Sequence, residues 1–138
     1  MNIDSIQNGV VIDHITAGLG MKLYKLLGLD TLDVSVALIK NVSSKKMGKK
    51  DIIKIDADID VDFDVIGFVD PDATVNIIKE GKLVNKLSID MPKTLVDVIK
   101  CKNPRCITSC EQELQHIFEL TDRENKVYRC RYCETKAN

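Results

Sequence analysis

Four cysteines in the last third of the chain have the spacing of a metal site. Four residues separate Cys101 from Cys106, and two separate Cys130 from Cys133. A tetrahedral zinc site takes its thiolate ligands from two such close pairs, each of which turns the backbone around the ion. Because four thiolates close the coordination shell, no position remains for a catalytic water. The sequence therefore predicts a single structural Zn²⁺ ion in each chain.

The spacing alone leaves other interpretations open. Three residues separate Cys106 from Cys110, which makes this an alternative first pair. Pro104 favours a fixed turn in "CKNPRC" and so favours Cys101 as the partner of Cys106. An iron–sulfur cluster and a set of scattered buried thiols are further interpretations. Nothing else in the sequence indicates electron transfer, and all the cysteines fall together, so zinc is the preferred interpretation.

The loops around the two cysteine pairs carry side chains suited to contact a partner. A structural metal holds both loops in place and leaves their tips available to other molecules. The side chains predicted to contact a partner are Asn103, Arg105, Tyr132 and Glu134.

Basic residues in the first part of the chain indicate a second kind of site. Lys50 and Lys54 are four residues apart in "KKMGKKDIIKI", so on an extended strand they project from the same face, as binding of a polyphosphate requires. Lys86 is a third candidate. A solvated basic loop is the alternative, and spacing alone favours it. The sequence has no glycine-rich phosphate loop and no dinucleotide fingerprint, which disfavours an NTP hydrolase.

Asp13 and His14 are neighbours in the motif "VIDH". On a regular strand adjacent side chains point to opposite faces, so the sequence predicts that the two do not form an acid–base dyad. Asp13 could accept hydrogen bonds from ribose hydroxyls and His14 could approach a phosphate, but each could equally be a surface group. The chain has two histidines, His14 and His116, and no nucleophile beside either, which disfavours catalysis.

Composition and charge exclude several classes of protein. The 138 residues are 44% hydrophobic and 4% aromatic, with a formal charge of −1, which is typical of a globular protein with no strong field toward nucleic acid or membrane. No apolar run has the length of a membrane span, and the N-terminus lacks the features of a signal peptide, so we expect a cytosolic protein. Two rival hypotheses remain: a zinc-ribbon nucleic-acid-binding protein, with a salt-steep affinity for DNA or RNA, and a small metalloenzyme, with an open zinc position.

The apolar periodicity predicts the elements that position these residues. Gly9–Ile15 is a β-branched run typical of a buried strand. Leucine spacing predicts a helix within 17–29 that stops at Gly28, and a second short helix ends before Pro71. The remaining predicted elements are strands at 32–42 and 51–59 around a polar loop at 43–50, and a hairpin at 73–89 that turns at Glu80 and Gly81. The order βαββαβ with one added strand predicts an α+β, ferredoxin-like antiparallel sheet with two helices on one face.

Composition also predicts two domains, 1–92 and 93–138. All five cysteines fall in the second domain, which is too small to be stabilised by a hydrophobic core alone. The segments "LQHIFELT" and "KVYRCRYC" alternate like short strands, separated by a turn at "DRENK". We therefore expect a small all-β zinc-binding domain.

Four separated motifs together resemble one known family. The segments "GVVIDHITAGLGMKLYKLLGL", "MGKKDIIKI", "PDATVNII" and "CKNPRC…CRYC" are similar to the regulatory chain of aspartate carbamoyltransferase. The similarity runs in order over nearly the whole chain, so it is far more specific than any single motif.

The resemblance implies a non-catalytic regulatory subunit in pyrimidine biosynthesis, without nucleic-acid or membrane partners. In that family the N-terminal domain binds nucleotides, and the C-terminal zinc domain docks to the catalytic chain. CTP, helped in some members by UTP, inhibits and ATP activates. They do so by biasing two quaternary states of a complex of catalytic trimers and regulatory dimers. This behaviour is allostery between distinct sites.

The resemblance also assigns roles to individual residues. The residues implied to line the ribose and phosphate region are Val11, Asp13, His14, Lys50, Lys54, Asn76 and Lys86, with backbone groups near Ile6 and Ile78 reading the base. The implied zinc ligands are Cys101, Cys106, Cys130 and Cys133, which leaves Cys110 outside the site. The chain departs from the family pattern at Gly81, where the best-known members have a tyrosine, and at Arg105, where they have an asparagine. The arm before "VVIDH" is also shorter than in the family. Because that arm helps to form a second nucleotide site in the family, the resemblance does not imply synergy between CTP and UTP here.

Overall fold

The computed structural model of the chain describes residues 6–137. The chain folds into two compact units, Met1–Asp90 and Met91–Asn138. The division falls two residues before the boundary expected from composition. Within the described residues, no helix is long and apolar enough to cross a membrane.

In its described part, residues 6–90, the first unit contains five strands and two α-helices. Its elements are β1 (Gly9–Thr16), α1 (Gly20–Leu26), a 3-10 turn (Leu29–Thr31), β2 (Val36–Ser44), β3 (Gly48–Ile55), α2 (Phe63–Val69), β4 (Thr74–Lys79) and β5 (Lys82–Ser88). The strands form one antiparallel sheet in the order β2-β3-β1-β4-β5. This arrangement confirms the predicted α+β fold class.

Local sequence signals explain where the helices begin and end. Gly28 ends the α1 segment with a left-handed φ of 70°, a conformation that glycine adopts without steric cost. Asp62 caps α2, because its side chain accepts hydrogen bonds from the backbone N–H groups of Asp64 and Val65. Helix α1 contacts α2, β2 and β3, which places the helices on one face of the sheet. That face holds the buried aliphatic side chains Val10, Ile12, Ile15, Leu23, Ile53, Ile55, Val65, Ile66 and Val75.

Two strands differ in length from the prediction. β3 begins at Gly48 and includes residues that were predicted as loop, while β2 begins only at Val36. β2 and β3 stay paired as far as Ser44 and Gly48. Backbone hydrogen bonding therefore extends the strands through polar residues that carry no hydrophobic signal.

β1 is interrupted by a β-bulge. Its register with β3 shifts between Ile12 and Ile15, so that Asp13 and His14 together lie opposite a single residue of β3. His14 has a left-handed φ of 57° at this point. Ile12 and Ile15 are consequently both buried, although a regular strand would send them to opposite faces.

Over residues 91–137, the second unit is a small three-stranded sheet with one short helix. Its elements are β6 (Thr94–Val96), α3 (Ile107–Cys110), β7 (Ile117–Asp122) and β8 (Val127–Cys130), with the sheet order β6-β7-β8. The sequence predicted β7 and β8 but missed β6 and α3, which are too short to show a period. The core is small: its buried residues include Leu95, Ile117, Phe118 and Tyr128. The Tyr128 hydroxyl donates a hydrogen bond to the backbone carbonyl of Pro92 at 2.6 Å.

Candidate functional site

The second unit brings four cysteine sulfurs into one cluster. The Sγ atoms of Cys101, Cys106, Cys130 and Cys133 all lie within 4.8 Å of one another. Cys101 and Cys133 are 3.5 Å apart, and Cys106 and Cys130 are 3.7 Å apart. A regular tetrahedron with metal–sulfur bonds of about 2.3 Å has sulfur–sulfur edges of about 3.8 Å. The cluster thus has the chemistry and the size of a metal site.

The fifth cysteine lies outside this cluster. Cys110 is exposed at the end of α3, whereas Cys106, immediately before α3, is 2% exposed. The structure therefore groups Cys106 with Cys101. The spacing had left Cys106 and Cys110 open as an alternative pair, and the structure does not bring these two together.

The first pair is held by a tight loop, which we call the first knuckle (Cys101–Cys106). Asn103 organises it: its carbonyl accepts hydrogen bonds from the backbone N–H of Cys106 at 3.1 Å and from the Ser109 hydroxyl at 2.7 Å. Its side-chain oxygen accepts from the backbone N–H of Arg105 at 3.0 Å. These bonds explain why asparagine suits this position in a turn.

The second pair is held by a similar loop, the second knuckle (Cys130–Cys133). The backbone N–H of Glu134 donates to the carbonyl of Cys130 at 2.9 Å, and the N–H of Cys130 donates to the carbonyl of Thr135 at 2.9 Å. Glu134 adopts a left-handed φ of 65° where the chain leaves the loop. The backbone therefore folds around the position of the ion.

Four polar residues that were not predicted from the sequence support the cluster. His116 Nδ1 accepts a hydrogen bond from the backbone N–H of Cys101 at 3.1 Å, and Asp97 holds the His116 backbone N–H at 2.8 Å. The hydroxyls of Thr108 and Thr135 lie 3.1 Å and 3.3 Å from the sulfurs of Cys106 and Cys133. The sequence carried one signal for these residues: each threonine stands two positions after a cysteine of the cluster. Such outer contacts orient metal ligands.

The thiols differ in acidity for identifiable reasons. Burial raises the pKa of Cys101 to about 12 and also raises the pKa of Cys130. The hydrogen bond with the Thr135 hydroxyl lowers the pKa of Cys133 to about 6, against the effect of burial. Since thiolates bind the metal, its binding releases protons and weakens as the pH falls.

The knuckle tips differ in accessibility. Tyr132 is 45% exposed, and Arg105 and Glu134 are exposed, whereas Asn103 is half-buried by its role within the first knuckle. Three of the four residues predicted to contact a partner are therefore free of the core.

The first unit presents a charged surface on the side of the sheet opposite the helices, which we call the outer face. Cross-strand pairing aligns Lys54 with Val11, Val11 with Asn76, and Asn76 with Lys86. Residues paired directly across antiparallel strands project from the same face. Four of the residues assigned by resemblance thus form one row across β3, β1, β4 and β5.

Lys50, Asp13 and His14 lie beside this row. Lys50 follows the same alternation as Lys54 on β3, and its Nζ is 2.9 Å from Asp13 Oδ1. The His14 ring is 3.0 Å from the hydroxyl of Thr74, which pairs with Asp13 across β1 and β4. The prediction that Asp13 and His14 face opposite sides is therefore wrong, because the bulge turns both side chains toward the outer face.

Asn76 has an unusual feature in the middle of the row. Its Oδ1 atom is buried and has no hydrogen-bond partner among the described residues. A buried acceptor without a partner is rare and calls for an explanation. One explanation is that a bound molecule donates a hydrogen bond to this oxygen.

The base-reading positions assigned by resemblance lie near the β4–β5 turn. Glu80 and Gly81 both have a left-handed φ, of 53° and 76°, as expected for a two-residue hairpin turn. The backbone N–H of Gly81 donates to the Gln7 carbonyl at 2.9 Å, next to the buried Ile6. Ile78 pairs with Gly9. The arm Met1–Ser5 lies outside the described residues.

A buried carboxylate fixes the strand that carries Lys50. Asp51 is fully buried, and its Oδ2 accepts hydrogen bonds from the backbone N–H groups of Gly18 and Gly20 at 3.1 Å and 3.0 Å. Its Oδ1 accepts from the N–H of Asn41 at 3.0 Å. A Cβ at Gly20 would lie 2.8 Å from Asp51 Oδ2, so only glycine fits there. The start of α1 and the edge of β2 are thus tied to β3.

Comparison with known proteins agrees with both units. Residues 1–90 match the family model described as the aspartate carbamoyltransferase regulatory chain, allosteric domain, and residues 93–138 match its metal binding domain. The chain belongs to the family of aspartate carbamoyltransferase regulatory chains. Regulatory chains from Clostridium botulinum and Clostridium tetani are both 52% identical, over 97% of this chain and 92% and 94% of theirs. The regulatory chain of Bifidobacterium longum is 45% identical over 99% of both chains.

Family membership confirms the predicted regulatory function and decides between the hypotheses. This regulatory chain has an allosteric domain and a metal-binding domain and is a non-catalytic subunit. A zinc-ribbon nucleic-acid-binding protein and a small metalloenzyme are not favoured. The four-cysteine cluster lies in the metal-binding domain and fits a bound metal ion.

Proposed function

We propose that residues 1–92 form an allosteric domain that binds nucleoside triphosphate effectors on its outer face. CTP and UTP are the proposed inhibitors and ATP the proposed activator. The observation that carries this proposal is the row formed by Lys54, Val11, Asn76 and Lys86, which sets two ammonium groups and an amide along one face of the sheet. Clustered ammonium groups are suited to a polyphosphate.

Each residue of this surface has a proposed role. Lys50, Lys54 and Lys86 bind the phosphates, and the side chain of Asn76 completes that region. His14, held by Thr74, approaches the phosphate as well. The remaining residues form the ribose and base regions: Val11 and Asp13 beside the ribose, and the backbone near Ile6 and Ile78 beside the base.

We propose that the metal in residues 93–138 is zinc and that it is structural. Four thiolates with the measured spacing leave no open position. The two knuckles then present a surface to the catalytic chain of aspartate carbamoyltransferase. The residues of this proposed interface are Asn103, Arg105, Tyr132 and Glu134.

The proposed assembly contains catalytic trimers and regulatory dimers in the cytoplasm and serves pyrimidine biosynthesis. A nucleotide acts in it by binding one quaternary state more tightly than the other. By linkage, a substrate that favours one state changes the nucleotide affinity by the same factor. The outer face and the knuckles are the two sites that such coupling would join.

Calorimetric titration of the metal-loaded full chain with CTP and with ATP tests the nucleotide site. We expect saturable, mutually competitive binding that Lys54→Ala weakens by about tenfold to a hundredfold, since a hydrogen bond to a charged group contributes about 1.5–3 kcal/mol. Lys45→Ala, in the turn between β2 and β3, is the matched control and should bind normally. Equal CTP affinity in wild type and Lys54→Ala would refute the proposed site. Strong, salt-steep binding of DNA would instead support the nucleic-acid hypothesis.

A further inference from the structure

The ion pair on the outer face involves two largely covered side chains. Lys50 Nζ and Asp13 Oδ1 are 2.9 Å apart, and the side chains are 16% and 21% exposed. The same oxygen of Asp13 also accepts the backbone N–H of His14 at 2.6 Å. The bulge in β1 therefore fixes the carboxylate, and the carboxylate fixes the lysine.

A carboxylate at this position opposes the binding of a phosphate. Asp13 occupies one of the three N–H donors of Lys50, so that donor is not available to a phosphate group that reaches the lysine. The negative charges of the phosphate and of the Asp13 carboxylate also repel each other. Two charges at 4 Å interact by about 1 kcal/mol in water and by about 4 kcal/mol near a protein surface, so this effect is large enough to change affinity.

Resting on the proposed nucleotide site, we infer that Asp13 limits the affinity of the outer face for polyphosphate. It forms an intrachain ion pair with Lys50, which offsets the positive charge of the lysine and places a negative charge beside any bound phosphate. The residue thus lowers the affinity of the outer face for the phosphate groups of an effector. This effect on the phosphates is separate from the proposed contact of Asp13 with the ribose, which would raise nucleotide affinity.

Inorganic tripolyphosphate separates the two roles, because it has no ribose. Its binding to the metal-loaded full chain is measured by calorimetry for wild type and Asp13→Asn. The asparagine keeps an oxygen that can accept the His14 N–H, so the bulge is preserved. We expect Asp13→Asn to bind tripolyphosphate about tenfold more tightly, which is within the Coulomb range above. The dependence on salt should also become steeper.

Asp30→Asn is the matched control, since it removes the same charge from an exposed position in the 3-10 turn. It should leave tripolyphosphate affinity unchanged. Unchanged or weaker binding by Asp13→Asn, in a protein whose binding is lost in Lys50→Met and Lys54→Met, would overturn the inference and leave the proposed site intact. Binding that is insensitive to both lysine variants, or no binding in any variant, would overturn the proposed site and the inference with it.

Discussion

Replacing Cys106 and Cys110 by serine, one at a time, separates the two ways of pairing the cysteines. Cys106 Sγ is 3.7 Å from Cys130 and nearly inaccessible, whereas Cys110 lies outside the cluster. Serine is close in size to cysteine, so the substitution removes a thiolate ligand without overpacking the site. We expect Cys106→Ser to lose most of its metal affinity and Cys110→Ser to keep it.

The magnitude follows from the size of the cluster. A structural zinc site contributes about 10–16 kcal/mol of apparent binding free energy at neutral pH. Removing one of four equivalent ligands forfeits about a quarter of this, or about 3 kcal/mol, which is more than a hundredfold in affinity. The second unit has a small hydrophobic core, so loss of the metal should also unfold it.

Competition with a colorimetric zinc chelator measures the affinity, and atomic absorption measures the metal content of the same sample. Near-ultraviolet circular dichroism of Tyr128 and Tyr132 reports the fold of the second unit. Loss of metal from Cys110→Ser, with a full content and wild-type affinity in Cys106→Ser, would refute the ligand assignment. Loss of the metal from both variants would instead make Cys106 and Cys110 the first pair of ligands.

Two further predictions concern the first unit. Asp51→Asn should lower the free energy of unfolding, measured in urea, by about 2–4 kcal/mol, since the amide cannot accept all three backbone N–H groups that the buried carboxylate binds. A loss of stability no larger than that of the exposed control Asp30→Asn would contradict this. Burial raises the pKa of Asp13, but hydrogen bonds from Lys50 and the His14 N–H outweigh it and lower the pKa below its usual value. Lys50→Met should raise this pKa in an NMR titration of the carboxyl group. A pKa that is lowered in the folded state stabilises the protein above about pH 4, and this contribution is lost as the pH falls through the folded pKa. Lys50→Met should therefore be less stable than wild type at neutral pH, and the difference should become smaller in acid.

Local patterns predicted most of the fold. The leucine spacing of α1, Gly28 at its end and the hairpin turn at Glu80 and Gly81 all depend on residues close together in sequence, and the structure confirms each of them. The failures were of another kind. β6 and α3 are stabilised by contacts across the second unit rather than by a period of their own, so no local signal announced them.

The sequence alone determined which chemistry was available and which elements would carry it. Close cysteine pairs constrain a turn of a few residues, and alternation along β3 fixes which lysines share a face, so both could be predicted from neighbouring residues. Only the tertiary structure decided the rest. It excluded Cys110 from the cluster, aligned Lys54 with Lys86 through two intervening strands, and placed His14 on the side of Asp13. Each of these depends on register or on a bulge, which are set by pairing between residues far apart in the chain.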